Sequence, residues 1–523
     1  MTSTARSADS DVEIRRTGRA LFLLMLGVYV MTAGGSLTST DAVSAFDLTQ
    51  SLIERHSVAL SGNLTGSDAL VGADGRYYSP FGIVQSIWDA PFYLAGRAVS
   101  AAGVKVGKPD SVPKAMVALS QTLLCAVIVW MTFHLAVLIG GSRAAALWAA
   151  ITLGIGSLLW PYARFGFNQP LACATLLAAV ANLVAGVRGS SSRKVAVAGW
   201  WLGAACLTRH ELMLAIPVLA IWLWADGAPE SAQRRRRFTA FAPGIAVSLT
   251  FWLIYNWIRF GNPVDSGYLR DPVPGLGASL FTGLAGFLLS PGGSVVLYSP
   301  FVVLGVWGLI RETRGSQRSI AWLCLAIIAT FLLFYAQLGN WTGWRAYGPR
   351  YLVIVLPYAA LGFALWLRTL DGRALRAAGL AACLTGFVIQ WPGVLMDYAK
   401  VSQSAAAGVD APTRSARQWE WRESMLVLNA RAAWHAVPAN IRYVAGLETP
   451  PHPPAPADAG DRSFSQQFAF SLDWWWLYLF YMGAISRFVV AIVAAASVVW
   501  IAYWTRHVLP PRPPNPYRAT TGP

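Results

Sequence analysis

Charged residues are scarce in this sequence. They make up 13% of its 523 residues, against about a quarter in an ordinary soluble chain, which argues against a water-soluble domain of this length. Cysteine is also rare. Cys125, Cys173, Cys206, Cys324 and Cys383 are the five present, and all fall inside apolar runs rather than loops. That excludes a disulfide framework and a CxxC metal site and leaves them as small buried hydrophobes. No internal repeat is visible. No small-residue cleavage pattern follows the first apolar run near 21–37, so that run reads as a membrane span and not as a removed signal peptide.

What the chain has in abundance is hydrophobic length: 55% of its residues are apolar and its mean hydropathy is +0.47. Apolar runs of roughly 18 residues recur from end to end, about twelve in all, the signature of bilayer-spanning helices. They lie near 21–37, 116–139, 144–160, 169–187, 195–208, 211–225, 238–257, 287–310, 319–338, 351–367, 377–396 and 484–504. The expected fold is an all-α polytopic membrane protein. Alternate loops are basic: Arg15/Arg16/Arg19, Arg143, Arg188/Arg193/Lys194, Arg234 to Arg237, Arg311/Arg314/Arg318, Arg368/Arg373/Arg376 and Arg506/Arg512/Arg518. The positive-inside rule makes these loops and both termini cytoplasmic. The net charge of +16 is therefore a topology signal and not a nucleic-acid footprint. Residues 195–225 are read as two helices joined at Thr208-Arg209-His210-Glu211, because one long helix would place Arg188/Lys194 and Arg234–Arg237 on opposite sides. The organisation that follows is a cytoplasmic tail (1–20), a transmembrane module (21–396) with a first extracytoplasmic loop (38–115), a second long loop (397–483), a last span (484–504) and a cytoplasmic tail (505–523).

Loops longer than about 12–15 residues are usually functional or disordered, and both long loops lie opposite the basic side. In Leu37–Leu60, Asp41 follows the first span and opens a pattern with Val43, Phe46, Leu48, Leu52 and Ile53 apolar, which suits a helix lying along the membrane surface. Ser39, Thr40 or Asp41 can cap it. A carboxylate there is equally suited to act as a general base facing a lipid-linked substrate. Asp47 falls on roughly the opposite face. Arg76, Tyr77 and Tyr78 precede Ser79-Pro80 in what reads as a loop, followed by a short amphipathic helix running to Trp88; they serve either as an interfacial anchor or as contacts for a phosphate or sugar. In Asn340–Tyr351, Pro349 fits a first helical turn. It sets Arg350 at a helix N-terminus that favours anions, with Arg345 nearby. Arg164, Arg209 and Arg259 recur at the same level and suggest a basic ring. His210 and Glu211 fit a salt-bridge turn as well as a substrate contact. In the second long loop, 415–447 reads as an interfacial amphipathic helix, 450–456 as a Pro-rich linker, and Asp473–Tyr478 as an aromatic belt.

Four stretches, taken in order, resemble the GT-C superfamily of integral membrane glycosyltransferases, in its protein-mannosyltransferase-like and aminoarabinose-transferase-like bacterial branch. They are STDAVSAFDLTQSL, YYSPFGIVQSIWDAP, FGNPVDSGY…SPGGSVVLYSP and WTGWRAYGPRYLVIVLPY. The resemblance implies a GT-C-type fold with amphipathic juxtamembrane helices in the first extracytoplasmic loop. It also implies a polyprenyl-phosphate-linked sugar donor and inverting transfer to a glycan, lipid or protein acceptor of the cell envelope. Asp41 would be the base, and Arg76, Tyr77, Tyr78, Arg164, Arg209, His210, Arg345 and Arg350 the substrate-binding set. Two departures stand out. A Lys-Pro-Pro-type element reads Tyr78-Ser79-Pro80-Phe81-Gly82 here, with Arg76 offered in place of the lysine. A strict paired-acid motif is absent, so no metal or other cofactor is assigned, although a divalent metal is left open. The competing classes are a twelve-span transporter and a flippase of lipid-linked sugars. A transporter would place its charges near the bilayer midplane between repeats, whereas here they cluster at the helix ends.

The side assignment is open to direct test. Cysteines introduced at Ser190 and Ser231 are expected to be shielded from a membrane-impermeant thiol reagent in intact cells, and cysteines at Ser67 and Ala457 to be labelled. Labelling at position 190 without 231 would make 195–225 a single span and reverse everything after it.

Overall fold

A backbone in lipid must satisfy its own hydrogen bonds, so a chain this apolar is driven into helices. The computed structural model describes residues 3–62, 69–226, 231–267, 277, 279–341, 343, 346–405, 416–447 and 472–508, with the backbone alone for 3–10. Helix α1 (Ser3–Thr32) leads through a short linker to α2 (Thr40–Glu54). A two-strand hairpin follows, β1 (Leu70–Val71) antiparallel to β2 (Tyr77–Tyr78), with Leu70 opposite Tyr78. Next come α3 (Val84–Ala101), α4 (Ser111–Leu138), α5 (Arg143–Ile155), α6 (Leu159–Tyr162), α7 (Gln169–Arg188) and α8 (Ser192–Thr208). A 3-10 turn (His210–Leu214) precedes α9 (Ala215–Ala225), then α10 (Ser231–Phe260), α11 (Leu280–Leu289), α12 (Val295–Tyr298), α13 (Phe301–Glu312) and α14 (Arg318–Ala336). A second 3-10 turn (Arg350–Val355) runs into α15 (Leu356–Leu367), followed by α16 (Gly372–Leu395), α17 (Tyr398–Ala405), α18 (Met425–Ala445), α19 (Trp475–Tyr481) and α20 (Arg487–Val508).

Among the described residues, seven helices are long and apolar enough to cross a membrane, and shorter apolar helices such as Arg143–Ile155 and Leu280–Leu289 stand between them. The chain is thus a multi-pass helical membrane protein. Small residues let the helices approach closely. Gly199 and Gly203 on α8 lie directly against Phe241, Gly244 and Ser248 of α10, where a methyl group on either glycine would collide with carbonyl oxygens.

The basic loops converge at one end. Arg188 donates to the Leu138 carbonyl and to Gln317, Arg368 pairs with Glu312 (2.7 Å) and donates to the Gly140 carbonyl (3.0 Å), and Arg143 pairs with Glu13. Arg237 donates to the carbonyls of Asp226 (3.2 Å) and Val187 (3.4 Å), while Ser319 donates to the Asp226 carboxylate. The start of α8 and the end of α9 therefore lie at the same end, and 195–225 is a pair of helices that reverses at Arg209. The extended backbone of Arg209 (φ −143°, ψ 123°) makes the break.

Several expected boundaries shift for local reasons. The span expected at 287–310 is three helices, α11 to α13, interrupted at Ser290–Ser294 and Ser299–Pro300, where Pro291 and Pro300 cannot continue a helix. The expected loop at 76–78 contains β2, and the helix expected to stop at Trp88 continues through Pro91 to Ala101. The helix expected within 415–447 is present as α18; it buries Met425, Leu428, Ala432 and Ala436 on one face and leaves Trp434 and Ile441 exposed on the other. The Pro-rich linker at 450–456 lies outside the described residues. In the expected aromatic belt, the indoles of Trp474, Trp475 and Trp476 donate to the carbonyls of Val394, Val30 and Met31, at 3.2, 2.9 and 2.9 Å.

The opposite end is tied together by one side chain. Arg164 is fully buried, with Nε donating to the Thr32 carbonyl (2.7 Å) and Nη1 to the carbonyls of Gly393 (2.8 Å) and Met396 (2.9 Å). Its Nη2 reaches the Asp473 carboxylate (2.9 Å) and also the Asp473 carbonyl. Three remote segments thus meet on one guanidinium. Burial, with Asp397 nearby, pushes the Asp473 carboxyl up against the pull of Arg164. A folded-state pKa raised above the unfolded value means that ionisation of Asp473 works against folding at neutral pH, so the carbonyl contacts matter more than the ion pair. Arg164→Met is expected to lower the melting temperature of the detergent-solubilised protein severely, in line with a cost of about 3–5 kcal/mol for one broken buried pair. Asp473→Asn is expected to cost clearly less, and equal shifts for the two would contradict this account.

Candidate active site

The acid end of the fold is organised by the start of α2. Ser39 sits in an extended conformation (φ −97°, ψ 151°), and its hydroxyl accepts the Ala42 N–H at 3.1 Å. The cap is therefore Ser39, which releases Asp41 from that role. Asp41 is buried in the first turn, with Thr40 donating to one of its oxygens at 3.4 Å. Its other oxygen faces Nη1 of Arg350 at 3.8 Å. The two residues are far apart in sequence and come together because Gly166, at the approach to α7, packs against Ala42, while Phe167 lies under the Arg350 guanidinium at 5.5 Å.

Arg350 opens the 3-10 turn after Pro349. Its guanidinium is loosely filled: Nη1 is 3.8 Å from Asp41, Nη2 is 3.5 Å from the Tyr351 hydroxyl, and the buried Nε has no hydrogen-bond partner among the described residues. A guanidinium is a planar fork of five donors suited to carboxylate or phosphate. One that is buried with its donors poorly matched is poised for a further anion.

A second arginine is joined to the first through aromatic rings. Arg209 donates from Nη1 to the Asn168 side-chain oxygen (2.6 Å) and pairs with Glu211 (2.6 Å), which also accepts from the Tyr335 hydroxyl (3.0 Å). Tyr335 stacks on Tyr351 (4.9 Å, 12°), and the Arg209 guanidinium lies 5.7 Å from the Tyr351 ring. Arg209 thus buttresses the aromatic floor beside Arg350, with its charge already balanced by Glu211. His210 is enclosed against the Trp252 ring at 5.7 Å.

Other residues expected at the site are placed elsewhere. Among the described residues, Arg164 and Arg259 of the expected basic ring are bonded to structural partners. Arg164 is held by the carbonyls and carboxylate described above, and all its donor nitrogens are engaged. Arg259 is buried beneath the hairpin, donating to the Ser79 carbonyl and to Asn256 (2.7 Å). Arg76 is exposed and bonded to Asp74 at 2.6 Å; its backbone amide and side chain hold the Asp74 carboxyl down at about 2. Tyr78 is buried with its hydroxyl donating to Asp74 at 2.8 Å, and Tyr77 pairs with Val71 in the hairpin. These three residues build the hairpin that leans on Phe260. Arg345 lies outside the described residues. Asp47 accepts from the backbone and hydroxyl of Ser61, both at 2.8 Å, and so pins the chain after α2 instead of sharing a site with Asp41.

Sequence reasoning missed Phe167, Asn168, Tyr335 and Tyr351. Tyr351 adjoins Arg350 and Phe167 adjoins Asn168, so adjacency was the available signal, but only the packing of α7 and α14 shows that they converge. Among the described residues, no group of three or more His, Cys, Asp or Glu is placed to hold a metal ion; the charge opposite Asp41 is a guanidinium.

No protein-family model and no curated protein sequence matches this chain. Solved structures do resemble it. Against ArnT from Cupriavidus metallidurans in the apo state, the TM-score is 0.51 at 12% identity, covering 96% of this chain and 78% of ArnT. The same protein bound to undecaprenyl phosphate aligns at TM-score 0.46 and 14% identity, covering 94% and 77%. The oligosaccharyltransferase of Archaeoglobus fulgidus in the apo form aligns at TM-score 0.44 and 12% identity, covering 78% and 57%. The first of these alignments runs through nearly the whole chain and, with the helical architecture above, shows that this chain shares the fold of ArnT.

Proposed function

We propose that this protein is a membrane glycosyltransferase that moves a sugar from a polyprenyl-phosphate-linked donor to an acceptor hydroxyl on the extracytoplasmic face, with inversion. The observation that carries this reading is the pairing of Asp41 with Arg350 once Ser39 has taken the helix cap. A buried acid and an incompletely bonded arginine, side by side, are the two groups such a transfer needs.

The acceptor oxygen attacks the anomeric carbon as the bond from that carbon to the phosphate oxygen breaks. The acceptor's proton passes to the Asp41 carboxylate, and the bonding electrons leave with the lipid phosphate. Arg350 stands where that charge develops, and preorganised donors of this kind supply a large share of rate enhancement. Arg209, balanced by Glu211, holds Tyr351 and so the orientation of Arg350. The gathering of the basic loops at the opposite end supports, by the positive-inside rule, a cytoplasmic side there and an outward-facing Asp41. The acceptor is a glycan, lipid or protein of the cell envelope. No cofactor is required by this scheme.

Mass spectrometry of the purified protein incubated with defined polyprenyl-phosphate sugars and envelope extracts is expected to show loss of donor, release of polyprenyl phosphate and a glycosylated product. Donor moved across a vesicle membrane with no glycosidic bond formed would favour a flippase. A second expectation concerns the anion site. Arg350→Ala is expected to weaken polyprenyl-phosphate binding by about tenfold or more, equivalent to about 1.4 kcal/mol, with a smaller effect on the melting temperature than Arg164→Met. Unchanged binding of the lipid phosphate by purified Arg350→Ala would remove Arg350 from the anion site.

A further inference from the structure

At the end of the molecule held by Arg164, two half-buried helix faces line one cavity. On α4, Val112, Ala115, Met116 and Leu119 fall at i, i+3, i+4 and i+7 and form a single stripe. The rest of that helix start is already packed: Pro113 lies against Gly96 of α3, and Val117 joins Phe46 and Tyr93. On α19 and the residue after it, Trp475, Tyr478, Leu479 and Met482 repeat the same spacing, while Trp476 and Leu477 are buried in the core. A stripe of this spacing is the face that a helix ordinarily packs against a neighbour. Here both stripes border a cavity of about 400 Å³, which Gly34, Gly35 and Ser36 of the α1–α2 linker also line.

The walls are fixed from behind. Trp475 donates its amide to the Ala33 carbonyl and its indole to the Val30 carbonyl, both at 2.9 Å, which locks α19 onto the end of α1. The start of α4 is held by α3 and by Lys114, whose ammonium lies 5.3 Å from the Phe46 ring. Each stripe runs for about 10 Å of helix, and Val99, Val104 and Met482, which also line the cavity, are 38%, 47% and 49% exposed. An enclosed water needs two to four polar partners, and the aliphatic stripe of α4 supplies none; a hydrocarbon chain needs none. The lining carries one charge, Lys400 of α17, with its side chain 51% exposed. Its ammonium donates to the Tyr478 hydroxyl at 2.9 Å and lies 3.1 Å from the Asp397 carboxylate. An ammonium has three donors, so one is left over among the described residues. Asp397 and Asp473 are fully buried, and Arg164 pairs with the second at 2.9 Å, so the charge that an entering group meets first is positive.

We propose that this cavity binds a glycerophospholipid of the bilayer, with an acyl chain between the stripes of α4 and α19 and the phosphate on the Lys400 ammonium. An apolar slot with a cation at its edge matches an amphiphile with an anionic head, and charge-assisted bonds from an ammonium to phosphate are among the strong ones. The volume falls within the range of about 300–1,000 Å³ usual for small-molecule sites. Neither Asp41 nor Arg350 lines the cavity. The α1–α2 linker connects the two places: Gly34 lines the cavity and packs against Asp473 and Phe165, and Leu37 packs on Gly166, which touches Ala42. A lipid seated here braces the linker that leads to Asp41 and leaves the Asp41–Arg350 site itself free. The binding site does not depend on the glycosyltransferase reading.

The test is native mass spectrometry of the full chain, delipidated in detergent and titrated with phosphatidylglycerol, with diacylglycerol of the same acyl chains, and with polyprenyl phosphate. The parent is expected to bind one phosphatidylglycerol about tenfold or more tighter than any further copy. Ala115→Trp puts a ring into the cavity; it is expected to lose that one copy and, free of lipid, to melt at or above the parent. Lys400→Gln, which can still donate to Asp397, is expected to weaken phosphatidylglycerol by about tenfold and to leave diacylglycerol unchanged. Polyprenyl phosphate is expected not to displace the bound copy. A parent with no such tight copy, or an Ala115→Trp that keeps it, would overturn the proposal. Equal losses of both lipids in Lys400→Gln would also overturn it, by removing the phosphate contact. So would displacement by polyprenyl phosphate, which would make the cavity part of a polyprenyl site.

Discussion

The burial of Arg164 is the constraint on which the rest of this end of the molecule depends. Taking a guanidinium out of water is expensive, and it is tolerated only where its donors are matched. Here the match is made mostly by backbone carbonyls from the end of α1, the end of α16 and the turn after it, with the chain before α19 supplying both a carboxylate and a carbonyl. Those carbonyls are the ones a helix terminus leaves unsatisfied. One side chain therefore completes two helix ends and ties in a segment more than 300 residues away. The Trp474–Trp476 indoles repeat the same chemistry around it, donating to Val394, Val30 and Met31.

That knot bears on the site through the linker between α1 and α2. Thr32 is fixed by Arg164, Ala33 accepts from the Trp475 amide at 2.9 Å, and Ser39 then caps α2. Asp41 follows at once, so its position is set from a rigid base and not by a free loop. Arg350 is placed from another direction, by the turn after Pro349 and by the aromatic floor of Phe167 and Tyr351. The division of labour among arginines follows from their neighbours. Arg164 is fully matched, Arg209 is balanced by Glu211, and Arg350 alone of these three is loosely held, against Asp41.

How much of this was legible beforehand depended on the physics of each feature. The reversal at Arg209 could be read from the basic loops, because the positive-inside bias is a property of short segments and needs no partner. Helix α2 and the acid in its first turn were equally accessible from local pattern, although the burial of most of its residues, Asp41 and Asp47 included, was not. The role of Arg164 was not, since an arginine beside a helix end looks the same whether it awaits a phosphate or is buried against Asp473. The choice of cap was undetermined for a different reason: Ser39, Thr40 and Asp41 are all competent, and only the extended backbone at Ser39 decides among them. The breaks at Pro291 and Pro300 were present in the letters, but averaging hydropathy over a window hid them. Contacts between remote residues, such as Tyr335 on Tyr351, carry no signature in spacing.

The central claim is that Asp41 takes the acceptor's proton, and its most direct test is the turnover of Asp41→Asn beside Asp47→Asn with a donor the parent consumes. Asparagine keeps the shape of aspartate, and the cap belongs to Ser39, so Asp41→Asn is expected to fold and to bind donor. A general base contributes about 10²–10⁴ in rate, so its turnover is expected to fall by about a hundredfold or more. Asp47→Asn, whose parent carboxylate pins Ser61, is expected to keep most of its activity. Near-parental turnover of Asp41→Asn would contradict the account.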